Sequence, residues 1–192
     1  MTLFTGGPTV SGHDAWEVSG TVTLTGSVEL SAGTRWGGLL VPSVTIPAGA
    51  TVSSATLYYK PYNTTHDSPK ANWYCQAADS AAAFAATASN ITSRARTTAY
   101  TLDQGTDIGT GTWRTVNITA PVAEVLGRTG WASGNGLALI GDAIDAAGDL
   151  WVRSYDDGGD VWYVEINYTV SSSHSGPLVN APRLKSKLRG LV

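Results

Sequence analysis

A single helical segment between two strand-like runs constrains the fold of this chain more than any other feature. Residues 113–118 are rich in β-prone side chains, and they lead into a segment that begins near Pro121. Apolar residues then recur at helical spacing as far as Leu126, and two glycines end the pattern before Trp131. Strand-like residues resume at 137–140. We therefore predict one short helix between β elements, with Trp131 as an apolar anchor.

Outside this segment the chain reads as short strands joined by tight turns. Residues 161–170 alternate strictly between two faces, and 22 glycines and 8 prolines supply frequent turns. Pro42 argues against an uninterrupted strand over residues 35–44. Residues 81–88 are alanine-rich and hold too few large apolar side chains for a long helix, so we expect a corner there. The sequence thus predicts an all-β protein.

Composition divides the chain into three parts. Residues 1–12 read as a loose N-terminal leader, residues 13–170 as a β-sandwich domain, and residues 171–192 as a linker and basic C-terminal arm. The charged fraction of the whole chain is 14%, well below the usual quarter or so, because threonine, serine, alanine and glycine replace charge. One sandwich domain with an arm fits 192 residues.

The arm differs from the body in charge. Four of the 12 basic residues lie in the last ten positions, so the arm carries +4, and the body, with 8 basic and 15 acidic residues, carries −7. Leucines interleave with these cations, a pattern suited to an acidic protein surface with apolar pockets. The residues predicted to dock on a partner are Arg183, Leu184, Lys185, Lys187, Leu188, Arg189 and Leu191.

The residue types that carry catalysis do not converge in this sequence. The three histidines, His13, His66 and His174, fall in the leader, a loop and the linker. Cys75 lies in the middle of a strand-like run, where a buried thiol is the expected state. Carboxylates for glycoside hydrolysis could come from Glu124, Glu165 or the aspartates, but no cleft is indicated around them. We predict no catalytic residues and no cofactor.

Aspartates and tryptophans leave two binding hypotheses open. Acidic turns are the ordinary explanation for the aspartates, with calcium as the alternative if two loops converge. The calcium candidates are Asp142, Asp145, Asp149, Asp156, Asp157 and Asp160. Exposed aromatic rings could bind a sugar, although core packing is the default for tryptophan. The alternation does not tell which of Trp16, Trp36, Trp73 and Trp162 are exposed.

Four stretches in this order carry a family resemblance. They are IPAGATVSSATLYY at 46–59, SRARTTA at 93–99, the helical segment at 113–140, and RSYDDGG at 153–159. Together they resemble the DNRLRE-like, or carbohydrate-binding-module-like, β-sandwich of tailed-bacteriophage virion proteins and bacterial surface proteins, over roughly residues 14–170. The resemblance implies a jelly-roll-type β-sandwich with one short helix. It leaves function open, because one fold serves many functions.

We expect a non-enzymatic accessory structural protein of a tailed-phage virion, either a minor tail protein or a capsid decoration protein. Its partners would be other virion subunits, and a homo-oligomer, such as a trimer, is expected from virion symmetry. The alternative is a carbohydrate-binding module that attaches reversibly to a glycan of the host envelope. Neither a signal peptide nor a membrane-spanning segment is evident, so we expect synthesis in the host cytoplasm, and the acidic body argues against nucleic acid.

Overall fold

The computed structural model describes residues 1–62, 70–105, 111–145 and 148–171. The C-terminal arm and its predicted docking residues lie outside this part of the chain. One α-helix, α1, spans Thr119–Leu126, and Ser11–His13 form a 3₁₀ turn. The strands in chain order are β1 Thr2–Gly6, β2 Asp14–Val18, β3 Thr21–Thr23, β4 Val28–Ser31, β5 Arg35–Val44, β6 Thr51–Tyr59, β7 Ala71–Gln76, β8 Arg96–Asp103, β9 Arg114–Asn117, β10 Asn135–Ala143, β11 Asp149–Val152 and β12 Tyr163–Thr169.

These strands form two antiparallel sheets. The four-stranded sheet has the order β1-β12-β6-β9. The eight-stranded sheet has the order β11-β4-β5-β10-β7-β8, with β2 paired to β5 and β3 paired to β2. Each of these sheets sends alternate side chains into a shared core. The prediction of an all-β sandwich with one short helix is confirmed.

The alternation predicted for the last strand is confirmed by its burial. Val164, Ile166 and Tyr168 of β12 point into the core, and the residues between them are partly exposed. The same holds in β7, where Trp73 and Cys75 are fully buried. A sheet buried on one face produces this period of two, because successive side chains point to opposite faces. Local pattern therefore sets which side chains build the core.

The helix α1 fills one end of the space between the sheets. Val122, Val125 and Leu126 are buried in the core, as their spacing predicted. Pro121 lies in the first turn, where its missing N–H breaks no helical hydrogen bond. Trp131 is also buried, and its Nε1 donates to the carbonyl of Ile46 at 3.0 Å. The predicted helix and its aromatic anchor are thus confirmed.

The prediction of a loose leader is wrong for residues 2–6. They form β1, which pairs with β12 from Thr2 opposite Tyr168 to Gly6 opposite Val164. Phe4 of this strand packs against the core, which explains why the segment is held. The sandwich therefore begins near the N-terminus and not at residue 13.

The strand β5 spans Arg35–Val44, and its pairing with β10 is interrupted at Pro42, as the proline predicted. A bulge accommodates the proline: Val41 pairs with Leu137, Val44 pairs with Asn135, and Ser43 between them has a φ of 51°. One extra residue on the β5 side leaves the proline nitrogen outside the ladder, which is where a sheet tolerates proline.

Residues 77–95, which we call the strap, cover the outer face of the eight-stranded sheet. Phe84 and Ile91 of the strap pack on Leu40 and Ile140 in a second, smaller core. As expected for the alanine-rich residues 81–88, the segment forms a corner without a helix. This sheet is therefore buried on both faces over much of its area.

Two buried or half-buried polar side chains hold the strap in place. The guanidinium of Arg94 donates to the carbonyls of three strap residues and to the side-chain oxygens of Gln76 and Asn90. From the sheet, the Glu17 carboxylate accepts from the backbone N–H groups of Ile91 and Thr92 at 2.8 and 2.9 Å. A loop with so many satisfied backbone groups is fixed on the sheet.

Candidate functional site

The outer face of the four-stranded sheet, which we call the open face, stays partly or fully exposed. Its centre is polar and carries hydroxyl, amide and carboxylate groups at alternating positions of β6, β12 and β9. One end of it is aromatic. On β6, β12 and β9 the side chains that point outward are Ser54, Thr56, Tyr58, Thr115, Asn117, Tyr163, Glu165 and Asn167.

Three rings at that end form a cluster that we call the aromatic platform: Tyr58, Tyr163 and Trp113. Tyr58 and Tyr163 are direct cross-strand partners, so their rings stack, with centroids 4.6 Å apart and planes inclined by 5°. Trp113, immediately before β9, meets Tyr163 edge-on with centroids 5.2 Å apart. Trp113 remains 37% exposed. The platform thus presents an aromatic surface to solvent.

Polar contacts hold the platform in one arrangement. The hydroxyl of Tyr58 donates to Oε2 of Glu165 at 2.9 Å, and this hydrogen bond raises the pKa of Tyr58. Burial, followed by the charge of Glu165, raises the pKa of Tyr163. Nζ of Lys60 lies 5.0 Å from the Trp113 ring centroid and pairs with Asp160 at 2.6 Å. Both phenols therefore stay protonated at neutral pH, and the platform is a fixed, uncharged aromatic surface.

A groove adjoins the platform, where the edge strands β8 and β9 of the two sheets face each other. The helix α1 closes one part of this side, because the Glu124 carboxylate accepts from the backbone N–H groups of Thr98 and Ala99 on β8. Beyond the helix a cavity of about 500 Å³ stays open between residues 101–104 and 113–117. We call it the edge groove. Trp113 belongs both to the groove and to the platform.

Asp103 and Arg114, which line the edge groove, form a buried polar triad with Tyr59. Asp103 accepts from the Tyr59 hydroxyl at 2.6 Å and from Nη2 of Arg114 at 2.8 Å. Arg114 is 5% exposed and Asp103 is 7% exposed. Burial raises the pKa of Tyr59 well above its ordinary value, so this phenol is a permanent donor. The other terminal nitrogen, Nη1 of Arg114, is buried without a hydrogen-bond partner in the described part of the chain.

The sequence did not reveal the residues of the platform and the groove. Tyr58 and Tyr163 lie 105 positions apart, and only the register of β6 on β12 brings their rings together. Trp113 read as the first residue of a strand, and Arg114 as an ordinary strand residue. One pattern in the sequence could have indicated the groove, namely a charged residue on the apolar face of a short strand. The strand β9 has that pattern, because Arg114 shares its buried face with Val116.

The tryptophans whose exposure was left open divide evenly. Trp73 and Trp162 are fully buried, and Trp16 and Trp36 are half-buried in the eight-stranded sheet. The guanidinium carbon of Arg96 lies 4.7 Å from the centroid of the Trp36 ring. Trp16 also packs against the main core and Trp36 against the second, smaller core, so all four contribute to core packing, as the default for tryptophan predicts.

The aspartates proposed as calcium ligands each have a different neighbour. Asp149 pairs with Arg35 at 2.9 Å, Asp160 pairs with Lys60, and Asp142 lies 3.8 Å from Arg96. The other three accept hydrogen bonds: Asp145 from the Lys70 N–H, Asp156 from the Ser11 hydroxyl, and Asp157 from the Ser154 N–H. Among the described residues, no group of three or more histidine, cysteine or acidic side chains is arranged to hold a metal ion.

The remaining reactive side chains have structural partners or lie outside the described residues. His13 accepts from the Thr9 N–H at 3.1 Å, and His66 and His174 fall outside the description. Cys75 is fully buried, and burial raises the pKa of its thiol. The Glu124 carboxylate accepts hydrogen bonds from the β8 backbone, and the Glu165 carboxylate accepts one from the Tyr58 hydroxyl.

Comparison with known proteins adds no relatives to this description. No family model matches the chain, and no curated protein shows significant similarity to it. Within the described residues, the only α-helix is too short to cross a membrane.

Proposed function

We propose that this chain is a non-enzymatic accessory structural protein of a tailed-phage virion, either a minor tail protein or a capsid decoration protein. The family resemblance carries the proposal. The stretches that bear it serve the scaffold: residues 51–59 form the inner strand β6, residues 119–126 form α1, and Arg94 fastens the strap. What the chain would share with such virion proteins is therefore a rigid sandwich.

In this proposal the basic arm docks on a neighbouring virion subunit and the sandwich projects outward. The charge difference between the −7 body and the +4 arm supports it, because the arm would be attracted to an acidic surface. A symmetric site in the virion would bring several copies together, with a trimer as the expected arrangement.

Removal of residues 178–192 tests this role. We expect phage that encode the truncated chain to assemble without it, while the purified truncated protein unfolds at the same temperature as the full chain. The matched control is Trp113→Ala, which should enter particles normally. Particles that still contain the truncated chain would contradict docking through the arm.

A second candidate function, a carbohydrate-binding module that attaches to the host envelope, is favoured by the aromatic platform. Flat, exposed rings bind the apolar face of a pyranose, and neighbouring hydroxyl and amide groups bind its hydroxyls. Trp113 lies between such a ring cluster and a groove with polar side chains. Screening the protein against a glycan array tests this candidate, and Trp113→Ala should weaken any binding that is found at least tenfold.

A further inference from the structure

The edge groove and the aromatic platform form one continuous surface that meets at Trp113. The groove holds about 500 Å³, which lies in the range of sites that enclose small ligands. Its rim carries side chains that both donate and accept hydrogen bonds, among them Thr101, Gln104 and Asn117. A ligand with one apolar face and many hydroxyl groups would match this surface.

Arg114 narrows the chemistry of that ligand. Its charge is already balanced by Asp103 at 2.8 Å, and the pair is almost fully buried. Nη1 of Arg114 nevertheless has no hydrogen-bond partner among the described residues, and a buried donor without a partner is costly. A carboxylate there would place a second negative charge beside Asp103 in a poorly solvated site. A neutral acceptor would satisfy the donor without that repulsion.

We propose that the edge groove binds a neutral oligosaccharide. One pyranose ring stacks on Trp113, and a hydroxyl or N-acetyl carbonyl oxygen of the next ring accepts a hydrogen bond from Arg114. This assignment rests on the second candidate function, carbohydrate binding, and it names the subsite and the ligand class. Uronic acids and other acidic sugars are disfavoured by Asp103.

The test uses the full chain labelled with ¹⁵N and titrated with three neutral trisaccharides, namely maltotriose, cellotriose and chitotriose, and with acidic trigalacturonate. We expect at least one neutral sugar to cause saturable shifts of the Trp113 indole and of backbone amides at 101–104 and 114–117. Trigalacturonate should bind at least tenfold more weakly. A preference for the acidic sugar would overturn the assignment of a neutral ligand.

Three variants locate the site. Trp113→Ala should weaken binding at least tenfold. Arg114→Lys keeps the charge beside Asp103 but removes the second terminal nitrogen, so affinity should fall about tenfold. Asn117→Ala, at an exposed position, provides a second probe of the groove if the lysine variant does not fold, and should weaken binding several-fold. Tyr155→Ala, an exposed ring that lines neither the groove nor the platform, is the matched control and should bind like the wild type.

The outcomes separate this inference from the functions on which it builds. One outcome would overturn the groove assignment but retain carbohydrate binding on the open face. In that outcome the sugar shifts only the signals of Tyr58 and Tyr163, and the Asn117→Ala variant and any folded Arg114→Lys variant bind the sugar like the wild type. Lack of binding to all four sugars would overturn both the inference and the second candidate function. The virion role is decided separately, by incorporation of the truncated chain.

Discussion

The two outer faces of the sandwich differ in what lies on them. The eight-stranded sheet carries the strap, with Phe84 and Ile91 in a second core and Arg94 binding the backbone of the loop. The four-stranded sheet carries exposed hydroxyl and amide groups and the aromatic platform. Side chains on the covered face contribute to stability, whereas those on the open face cost little to change. The open face is therefore the surface on which function can vary without loss of the fold.

The largest expected effect is on the covered face. Phe84→Ala would remove a ring that is 4% exposed and leave a cavity under the strap. We expect the free energy of unfolding to fall by about 3 to 5 kcal/mol in urea denaturation. Tyr163→Ala on the open face is the comparison, with an expected loss of about 1 kcal/mol for the stacked pair. Equal losses in the two variants would remove the distinction between the faces.

The next effect concerns Asp14 of β2, which accepts hydrogen bonds from the loop between β11 and β12. Its Oδ2 accepts from the Tyr155 N–H at 2.8 Å and from Trp162 Nε1 at 3.0 Å, and its Oδ1 has no partner among the described residues. Burial raises the pKa of this carboxyl from 3.8 to about 6, and the charges of Asp156 and Asp157 add to the rise. Folding therefore favours the protonated carboxyl relative to the unfolded chain.

The sign of the pH dependence follows from this raised pKa. The contribution of Asp14 to the free energy of unfolding is fully present below about pH 4 and is lost as the pH rises through about 6. The total loss is up to about 3 kcal/mol. Asp14→Asn should flatten this part of the stability profile in urea denaturation at pH 4 to 7. A variant that keeps the slope of the wild type would show that another group titrates there.

A smaller effect is expected from Arg94, which fastens the strap. Arg94→Met would leave the carbonyls of Ala82, Ala83 and Asn90 without this donor, at a cost of about 2 kcal/mol. Limited proteolysis should then cleave within residues 77–95 faster than in the wild type. Arg94→Lys, with fewer donors, is the control and should fall between the two. Unchanged cleavage of the methionine variant would mean that the small core alone holds the strap.

The smallest effect is expected at the platform. Trp113→Ala should change the free energy of unfolding by less than about 1 kcal/mol, because the ring is 37% exposed. Thermal unfolding of the variant measures this change. A larger loss would show that Trp113 belongs to the core and would make its glycan-binding test uninformative without a milder change such as Trp113→Phe.

The same contrast separates what the sequence predicts from what it does not. The alternation of β12 and the spacing of α1 are local patterns, and both gave the buried side chains correctly. The strand β1 has no such pattern. This five-residue edge strand is held by its pairing with β12 and by the packing of Phe4 against the core. Sequence periodicity reports the face that a strand buries, but not its partner.

The candidate site depends on contacts between different strands and between the two sheets. Asp103 and Arg114 are close in sequence, yet they lie on different sheets and meet because the edge strands β8 and β9 face each other. The stack of Tyr58 on Tyr163 depends on strand register. A rule based on composition selects tryptophans as a class and cannot tell exposed Trp113 from buried Trp73.

Cryo-electron microscopy of the intact phage particle shows directly whether this chain is a virion protein that presents its open face. We expect the chain to be present in the particle, with residues 178–192 against a neighbouring subunit and the open face directed toward solvent. A particle that lacks the chain, or one in which the open face is buried against a neighbour, would contradict the proposed virion role.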